Sequence, residues 1–483
     1  MERRFCSPTK SVVLLLTLIL LTIWTPLGTA QSSDPQNPDL QQLKKKMEQL
    51  EQEMQDLKQQ IERAETAGQE KTTGTTPGQA PPPVVRETIT ETAKSAQKSE
   101  PGEEAAPVPP KTIDIYGFVM LDSGYRSGAI DPNWFDVIRP TKMDAFKGEF
   151  APNGSTYFSV RQTRFGVKSS TPTALGVLKT LFEFELFGTG VDAGQTTFRL
   201  RHAYGELGQF GAGQTWSPFM DIDVFPNSLE YWGPTGMVFF RNVQARWIPF
   251  QKGDSNVVIA LERPGATGDG GVYADRIELS NIRPQFKWPD LSGHARIAGP
   301  WGHVQVAAIV RKIAWVDVGA QNATSFSGTA IGWGVNTSAN VNFTKKDVGR
   351  FSVVYGKGVE NYMNDAPFDI GVRDTPGAPT PFKGVALPVL GVVSFLDHNW
   401  SDKFSSAIGY SLENIYNSNA ELPSDFHQGH YALANLLYYP AKGVMVGGEF
   451  QFGRRVDFSS GFNVNDYKAQ FSFKYNWSRG FTY

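Results

Sequence analysis

Polar and apolar residues alternate strictly along much of the chain after residue 111. Between Tyr467 and Trp477, six apolar or aromatic side chains alternate with five polar ones, and shorter stretches at 178–187 and 198–205 repeat the pattern. A period of two indicates β-strands with one apolar and one polar face. Strands of soluble proteins average about 5–6 residues, whereas strands of membrane barrels need about 9–11. The pattern therefore predicts strands that cross a membrane.

Counting the alternating segments gives sixteen predicted strands. They span 112–126, 155–168, 177–187, 196–206, 208–216, 238–249, 256–263, 283–298, 302–312, 327–343, 350–360, 386–398, 403–416, 428–439, 443–455 and 466–477. Long connections, such as 127–154 and 217–237, alternate with short turns, which is typical of outer-membrane barrels. Pro284 and Pro289 disfavour a continuous ladder in the eighth segment. We predict an all-β fold, a sixteen-stranded antiparallel transmembrane β-barrel over residues 111–483.

The first thirty residues have the pattern of a signal peptide. Three basic residues precede an apolar run over 12–23, and small residues at Gly28 and Ala30 form a cleavage site. We predict that residues 1–30 are removed, and a retained membrane anchor is the alternative. The single cysteine, Cys6, would be removed with them. A mature chain without cysteine excludes disulfides, cysteine-ligated metals and a cysteine nucleophile.

A heptad pattern follows over residues 39–65. Apolar residues recur at alternating steps of three and four: Leu40, Leu43, Met47, Leu50, Met54, Leu57, Ile61 and Ala64. Such a stripe predicts a coiled-coil helix, which needs a partner to bury its apolar side. The alternative is a single amphipathic helix that docks on its own domain.

Residues 66–110 differ from both neighbouring segments. They contain eight prolines and few bulky apolar residues. This composition cannot bury enough apolar surface to offset the entropy of the chain. We predict a disordered, proline-rich linker, either a plain spacer or a segment that contacts the cell wall.

Charge and hydropathy limit the classes of protein to which this chain can belong. The 483 residues carry a net charge of −2, so whole-chain charge gives no indication of nucleic-acid binding. Only the N-terminal apolar run approaches the length of a membrane helix, which excludes a helical membrane protein.

Motifs of catalytic sites are absent from the sequence. It contains no His-Glu-x-x-His, no Gly-x-Ser-x-Gly and no phosphate-binding glycine-rich loop. His427 and His430 share one segment, and a solvated loop pair is favoured over a metal site. We therefore predict no catalytic residues, no metal and no cofactor, and a protein that is not an enzyme. Because serine and aspartate are plentiful, an outer-membrane barrel enzyme stays open as an alternative.

The third long loop, after the strand that ends near residue 216, mixes apolar residues with three acids. Asp221, Asp223 and Glu230 lie among Phe, Ile, Val, Leu and Trp. A loop this apolar does not remain in water, and the barrel interior is the available shelter. We predict that it folds inward and forms a constriction loop.

Arginines flank this loop in sequence. The predicted pore-lining basic residues are Arg161, Arg164, Arg199, Arg201, Arg241 and Arg246. An arginine facing lipid at the membrane midplane costs about 2–4 kcal/mol, so the alternation assigns Arg199 and Arg201 to the lumen. Acidic and basic walls in a constriction sort small ions and polar solutes. The alternative is structural, with the arginines only neutralising the loop acids and Glu183 and Glu185.

Several motifs resemble the DcaP-like family of trimeric outer-membrane porins. They are Tyr116-Gly117-Phe118, Arg164-Phe165-Gly166, Arg199-Leu200-Arg201-His202-Ala203-Tyr204, Gly213-Gln214-Thr215-Trp216, Phe219-Met220-Asp221, Phe225-Pro226, Gly233-Pro234 and Arg241-x-x-Gln244-x-Arg246. An N-terminal coiled coil before the barrel is also similar to that family. One departure is that the strand pattern ends at Trp477, six residues before the C-terminal Tyr483.

The resemblance implies a homotrimer in the outer membrane of a Gram-negative cell, in contact with its lipid and with the coiled coil in the periplasm. It implies passive diffusion of small polar, anionic, dicarboxylate-like solutes through an arginine-lined channel. Two further alternatives stay open: a phosphate-selective-type porin, and a plugged barrel with a structural or tethering role.

Overall fold

A computed structural model describes residues 110–188, 197–265, 282–285, 287–319 and 325–482. Twenty strands account for most of them. In chain order they are β1 Thr112–Arg126, β2 Ser155–Ser159, β3 Arg164–Thr173, β4 Gly176–Glu185, β5 Arg199–Leu207, β6 Phe210–Trp216, β7 Arg241–Lys252, β8 Ser255–Glu262, β9 Ile282–Pro284, β10 Asp290–Gly299, β11 Gly302–Asp317, β12 Gly328–Asn342, β13 Asp347–Lys357, β14 Ile370–Asp374, β15 Phe382–Ala386, β16 Pro388–Ser401, β17 Phe404–Ile415, β18 Phe426–Ala441, β19 Val444–Asp457 and β20 Asn463–Thr482.

Short 3₁₀ helices occur in the loops, at Pro132–Trp134, Pro140–Lys142, Ile222–Val224 and Glu360–Tyr362. Within the described residues, no helix has the length and apolar character needed to cross a membrane.

Eighteen of the strands form one closed antiparallel sheet. The sheet closes because β1 pairs with β20 over its whole length, from Thr112 opposite Thr482 to Arg126 opposite Lys468. Two positions around the barrel are each occupied by two short strands, since β2 and β3 both pair with β1, and β9 and β10 both pair with β11. The barrel therefore has sixteen strand positions, which confirms the predicted fold. The predicted signal peptide, coiled coil and linker lie outside the described residues, apart from residue 110.

The interrupted position formed by β9 and β10 has a cause in the sequence. The strand β9 ends at Pro284, and β10 begins at Asp290 directly after Pro289. Proline has no N–H to donate to a ladder, so two prolines divide this strand. The weakness predicted for the eighth segment is confirmed.

The outer surface of the barrel is apolar. Large exposed side chains recur at alternate positions on neighbouring strands, among them Phe182, Leu261, Ile331, Val353, Phe471 and Phe473. The residues between them point inward and are buried, many of them polar, as with Gln470 and Ser472 on β20. An apolar band outside and polar groups inside are what the lipid bilayer requires of a barrel.

The last strand is longer than the sequence pattern predicts. Its pairing with β1 continues beyond Trp477 through Arg479 opposite Ile115 to Thr482. The alternation fails after Trp477 because this end lies at the rim, where neither face contacts hydrocarbon or the packed interior. The expected end of the strand at Trp477 was wrong.

The interior contains apolar clusters as well as polar groups. Phe219 and Val238 of the third long loop pack with Ile309 of β11 and Val354 of β13. A hairpin of β14 and β15, which the sequence pattern did not predict, packs Ile370 and neighbouring residues against the end of β11. One side of the barrel wall therefore has an apolar inner face, and the long loops cover it.

Candidate functional site

We call residues 217–240 the inner loop. It leaves β6 after Trp216 and turns at once into the barrel, as predicted. Asn336 of β12 donates to the Phe219 carbonyl at 3.0 Å, and Gln305 of β11 donates to the Met220 carbonyl at 2.9 Å. Phe219 and Met220 are buried. The loop therefore enters along the inner face of β11 and β12.

Asp221 is the first acid of the inner loop. It accepts hydrogen bonds from Ser338 at 2.7 Å and His303 Nε2 at 2.7 Å, and it forms an ion pair with Arg296 at 3.3 Å. Arg296 also pairs with Asp223, which is half exposed. Burial alone would raise the pKa of Asp221, but the His303 hydrogen bond and the Arg296 charge outweigh it and lower the pKa. Asp221 therefore remains ionised and anchors the loop to the wall.

The same three residues, Asp221, Asp223 and His303, form the one group of potential metal ligands found among the described residues. Their oxygens and nitrogen are already engaged with one another, with Ser338 and with Arg296. The guanidinium occupies the place that a cation would take.

Glu230 lies much further round the barrel. Its carboxylate accepts the backbone N–H groups of Ile138, at 3.0 Å, and of Gly233. The N–H groups of Leu229 and Glu230 donate to Glu449 of β19 at 2.7 and 3.0 Å. Burial raises the pKa of Glu230 to about 7. Glu230 thus joins the first long loop to the inner loop.

The contacts of the inner loop follow the order of the strands. They pass from β10, β11 and β12 through β16, β17 and β18 to β19, β20 and finally β4 and β5. The loop therefore follows the wall as far as Tyr231 and then turns back across the interior, since the Thr235 hydroxyl donates to Glu413 of β17 at 2.9 Å. As a consequence, Glu230 is separated along the wall from Asp221 and Asp223, and the three acids do not form one acidic face opposite the arginines.

Four of the six predicted arginines surround two glutamates of β4. Glu185 is fully buried and accepts from Arg199 Nε at 2.9 Å and Arg201 Nη1 at 2.8 Å. Arg164 and Arg241 approach it to 3.2 and 3.9 Å. Glu183 pairs with Arg201 at 2.6 Å. Four guanidinium groups against two carboxylates leave a local charge of +2, and we call these six residues the arginine cluster.

Tyr231 of the inner loop completes the arginine cluster. Its hydroxyl hydrogen-bonds with both Glu185 and Arg199, and its ring stacks on Phe187 at 3.9 Å between centroids. The inner loop therefore reaches the basic wall at Tyr231 before it turns back toward β17.

A bulge in β5 changes the predicted alternation. Glu185 pairs with Arg199 and Phe184 with Leu200, but Glu183 pairs with His202, so that Arg201 has no partner across the ladder. Arg201 and His202 are both buried on the inner side. The sequence alternation over 198–205 assigns His202 and Tyr204 to the outer face with Leu200, and this prediction was wrong because the extra residue of a bulge reverses the faces that follow.

The remaining two predicted arginines lie apart from the arginine cluster. Arg161 is only 1 % exposed and pairs with Asp136 of the first long loop at 2.8 Å. It lies behind that loop and does not face an open passage. Arg246 donates to the Trp216 carbonyl at 2.6 Å and lies over the Tyr204 ring at 5.0 Å.

A cavity of about 360 Å³ borders the arginine cluster. Its lining includes three arginines, one acid and four aromatic residues of the inner loop: Arg139, Arg199, Arg241, Glu360, Tyr231, Trp232, Phe239 and Phe240. Arg199 and Arg241 belong to the arginine cluster. A solute in the cavity would therefore lie next to the positive charge of the cluster.

Residues 112–370 match the family model described as "DcaP outer membrane protein". The chain belongs to this family. The resemblance drawn from the sequence motifs is confirmed, and the protein is an outer-membrane β-barrel protein. Among curated protein sequences, none matches the chain.

Two solved structures share the fold of this DcaP family member. The outer membrane channel DcaP of Acinetobacter baumannii is 18% identical, with a TM-score of 0.64 over 76% of this chain and 98% of that one. An anion-selective porin from Comamonas acidovorans is 11% identical, with a TM-score of 0.50 over 76% of this chain and 100% of that one. At these identities the likeness concerns the fold alone.

Arg139 and Glu360 of this DcaP family member were not among the predicted site residues. Arg139 lies against the rings of Trp134 and Trp232, 4.1 and 4.2 Å from their centroids, and pairs with Asp365 at 2.8 Å. Arg139 and Glu360 come from two loops far from the inner loop in sequence. The only sequence signal for Arg139 was the nearby Trp134 in the same loop. No sequence signal indicated Glu360.

Proposed function

We propose that the protein is a porin for passive diffusion of small anionic solutes of the dicarboxylate type. The observation that carries this proposal is the arginine cluster, which has a local charge of +2 and lines a cavity through Arg199 and Arg241. Rings of basic side chains are the usual means by which pores favour anions.

The chemistry of the arginine cluster suits weak and reversible binding. A guanidinium group grips a carboxylate with two parallel hydrogen bonds and stays charged at any physiological pH. Glu183 and Glu185 already occupy part of the hydrogen-bonding capacity of these arginines. The remaining attraction therefore draws an anion in without holding it, and transport needs the solute to leave again.

We further propose that the barrel assembles as a homotrimer with a periplasmic coiled coil. The heptads of residues 39–65 support self-association, and a signal peptide of residues 1–30 fits export. Thr112 pairs with Thr482 at the rim that carries the short turns, which is the periplasmic rim in outer-membrane barrels. The linker of residues 66–110 joins these parts. This function needs neither a cofactor nor catalysis.

Ion selectivity in a planar bilayer tests the channel proposal. We expect the purified full chain to form channels whose reversal potential in a salt gradient shows anion preference. The double variant R199Q/R241Q should lose that preference, because the cluster then has no excess positive charge. The control variant R479Q removes an exposed arginine from the end of β20 at the rim with the short turns, away from the arginine cluster. It should leave the reversal potential unchanged.

Two outcomes would contradict the proposal. A protein that inserts but conducts no current would be a plugged barrel, in which the inner loop closes the lumen. Channels whose anion preference survives in R199Q/R241Q would show that the arginine cluster does not set selectivity.

A further inference from the structure

Glu360 is a buried acid without a partner. It begins the short helix Glu360–Tyr362 in the loop between β13 and β14, and it is 1 % exposed. Neither carboxylate oxygen has a hydrogen-bond partner. Buried polar groups are nearly always hydrogen-bonded, and an unpartnered one in a native protein requires an explanation.

The backbone brings Glu360 to the arginine cluster. Val238 and Met363 form an antiparallel bridge, and the Phe239 N–H donates to the Tyr362 carbonyl at 3.0 Å. In an antiparallel arrangement, a step back from Tyr362 toward Glu360 corresponds to a step forward from Phe239 toward Arg241. Glu360 and Arg241 both line the cavity of about 360 Å³.

The basic side of the cavity also has an arginine nitrogen without a hydrogen-bond partner. Arg241 Nη1 is buried without a hydrogen-bond partner, while Nη2 lies 3.9 Å from Glu185. Arg199 is the most exposed arginine of the cluster, at 29 % of its side chain. The residues that line the cavity therefore include one arginine and one glutamate with buried polar atoms that have no hydrogen-bond partner, and one partly exposed arginine.

We propose that this cavity selects amino-acid-like solutes, which carry an ammonium group for Glu360 and a carboxylate for Arg199 and Arg241. The inference rests on the proposed function as a porin and names its preferred solute class. A solute with both charges satisfies both unpartnered groups, whereas a plain dicarboxylate satisfies only the arginines and leaves Glu360 buried and unpaired.

The surroundings of Glu360 favour a bound positive charge, either a proton or an ammonium group. Burial, and the negative charges of Asp369 and Glu413, raise its pKa well above the ordinary value, and the charge of Arg311 opposes them only in part. Arg311 is itself held by Asp290 and Asp369 at 2.8 and 3.1 Å. An ammonium group competes with the proton for this carboxylate.

The size of the cavity agrees with this assignment. About 360 Å³ lies at the small end of the roughly 300–1,000 Å³ of small-molecule sites. Tyr231 and Trp232 on its wall provide an apolar surface for a short carbon skeleton.

Three four-carbon diacids with the same skeleton test the proposal in liposomes that contain the full chain. Succinate has no substituent, malate adds a hydroxyl group and aspartate adds an ammonium group. We expect aspartate to permeate at least threefold faster relative to succinate in the wild type than in E360Q. Malate should stay close to succinate, because its hydroxyl group can donate a hydrogen bond to Glu360 but cannot form an ion pair with it.

The control variant E206Q removes an acid of β5 that does not line the cavity, and it should keep the wild-type ratio of aspartate to succinate. An unchanged ratio in E360Q would overturn the inference, and so would malate matching aspartate in the wild type. The comparison of malate with aspartate in the wild type does not depend on whether any variant folds. If all three solutes fail to permeate, the proposed porin function itself fails, and the solute class falls with it.

Discussion

At the scale of single residues, the arginine cluster depends on the buried Glu185. This carboxylate is fully buried and has four arginines and one tyrosine around it. A buried charge is tolerated only when partners replace the lost water. Glu185 therefore holds the guanidinium groups together against their mutual repulsion, and it also cancels part of the charge that a solute would meet.

The substitution E185Q separates these two effects. We expect a stronger anion preference, because the local charge rises from +2 to +3. We also expect lower heat resistance, since breaking a buried ion pair costs about 3–5 kcal/mol. Reversal potentials and the temperature at which the folded band disappears in gel electrophoresis measure the two effects. E206Q serves as the control, and an E185Q channel with weaker anion preference would contradict the assigned charge balance.

At the scale of elements, the inner loop depends on one close approach. Gly236 has a φ of +70°, and a Cβ atom there would lie 2.1 Å from the Leu412 carbonyl oxygen of β17. Only glycine permits both this backbone conformation and this contact. The return of the loop across β16 and β17 is therefore specified by a residue without a side chain.

The substitution G236A should displace this part of the inner loop. We expect larger current fluctuations and reduced heat resistance, because the backbone of β17 cannot move away within the barrel wall. Single-channel recordings and the heat-modifiability assay report both. Gly377 is a matched control, since it has a φ of +79° with nothing within 4 Å of its Cβ position. G377A shares the conformational cost of about 1–2 kcal/mol but not the clash, so equal effects of the two variants would contradict the importance of this contact.

At the scale of the whole molecule, the sheet of the barrel closes on itself without the N-terminal segment. The ladder between β1 and β20 begins at Thr112, so each barrel strand has its partners within residues 112–482. A closed sheet has no free edge and can satisfy its own backbone groups in the membrane. Assembly through the proposed coiled coil is then a separate contribution.

Deletion of residues 39–65 tests this modular arrangement. We expect a smaller oligomer, or one that dissociates at lower temperature, together with a barrel of unchanged heat-modifiability. Native gels and light scattering measure the assembly, and heating before denaturing gels measures the barrel. A deleted protein that forms no folded barrel would show that the two parts are not independent.

The sequence by itself determined the barrel. Alternation of apolar and polar residues specifies one lipid-facing and one inner face on each strand, and the two prolines at 284 and 289 indicate the interrupted strand. These are local properties, since the bilayer acts on every strand in the same way. The apolar composition of the inner loop likewise indicated that it folds inward, and the motifs around Arg199 were sufficient to indicate the family.

Only the tertiary structure decided how the site is built. The alternation of apolar and polar residues cannot show the bulge at Arg201. A bulge is an extra residue relative to the partner strand, so it can be recognised only when the pairing with β4 is known. Glu230 is separated from Asp221 and Asp223 because the loop follows the wall between them, and the course of a loop depends on distant partners such as His303 and Glu449. Glu360 reaches the arginine cluster only through a second loop, 119 residues after Arg241 in sequence. Contacts between segments so distant in sequence arise only when the closed barrel holds them in one interior.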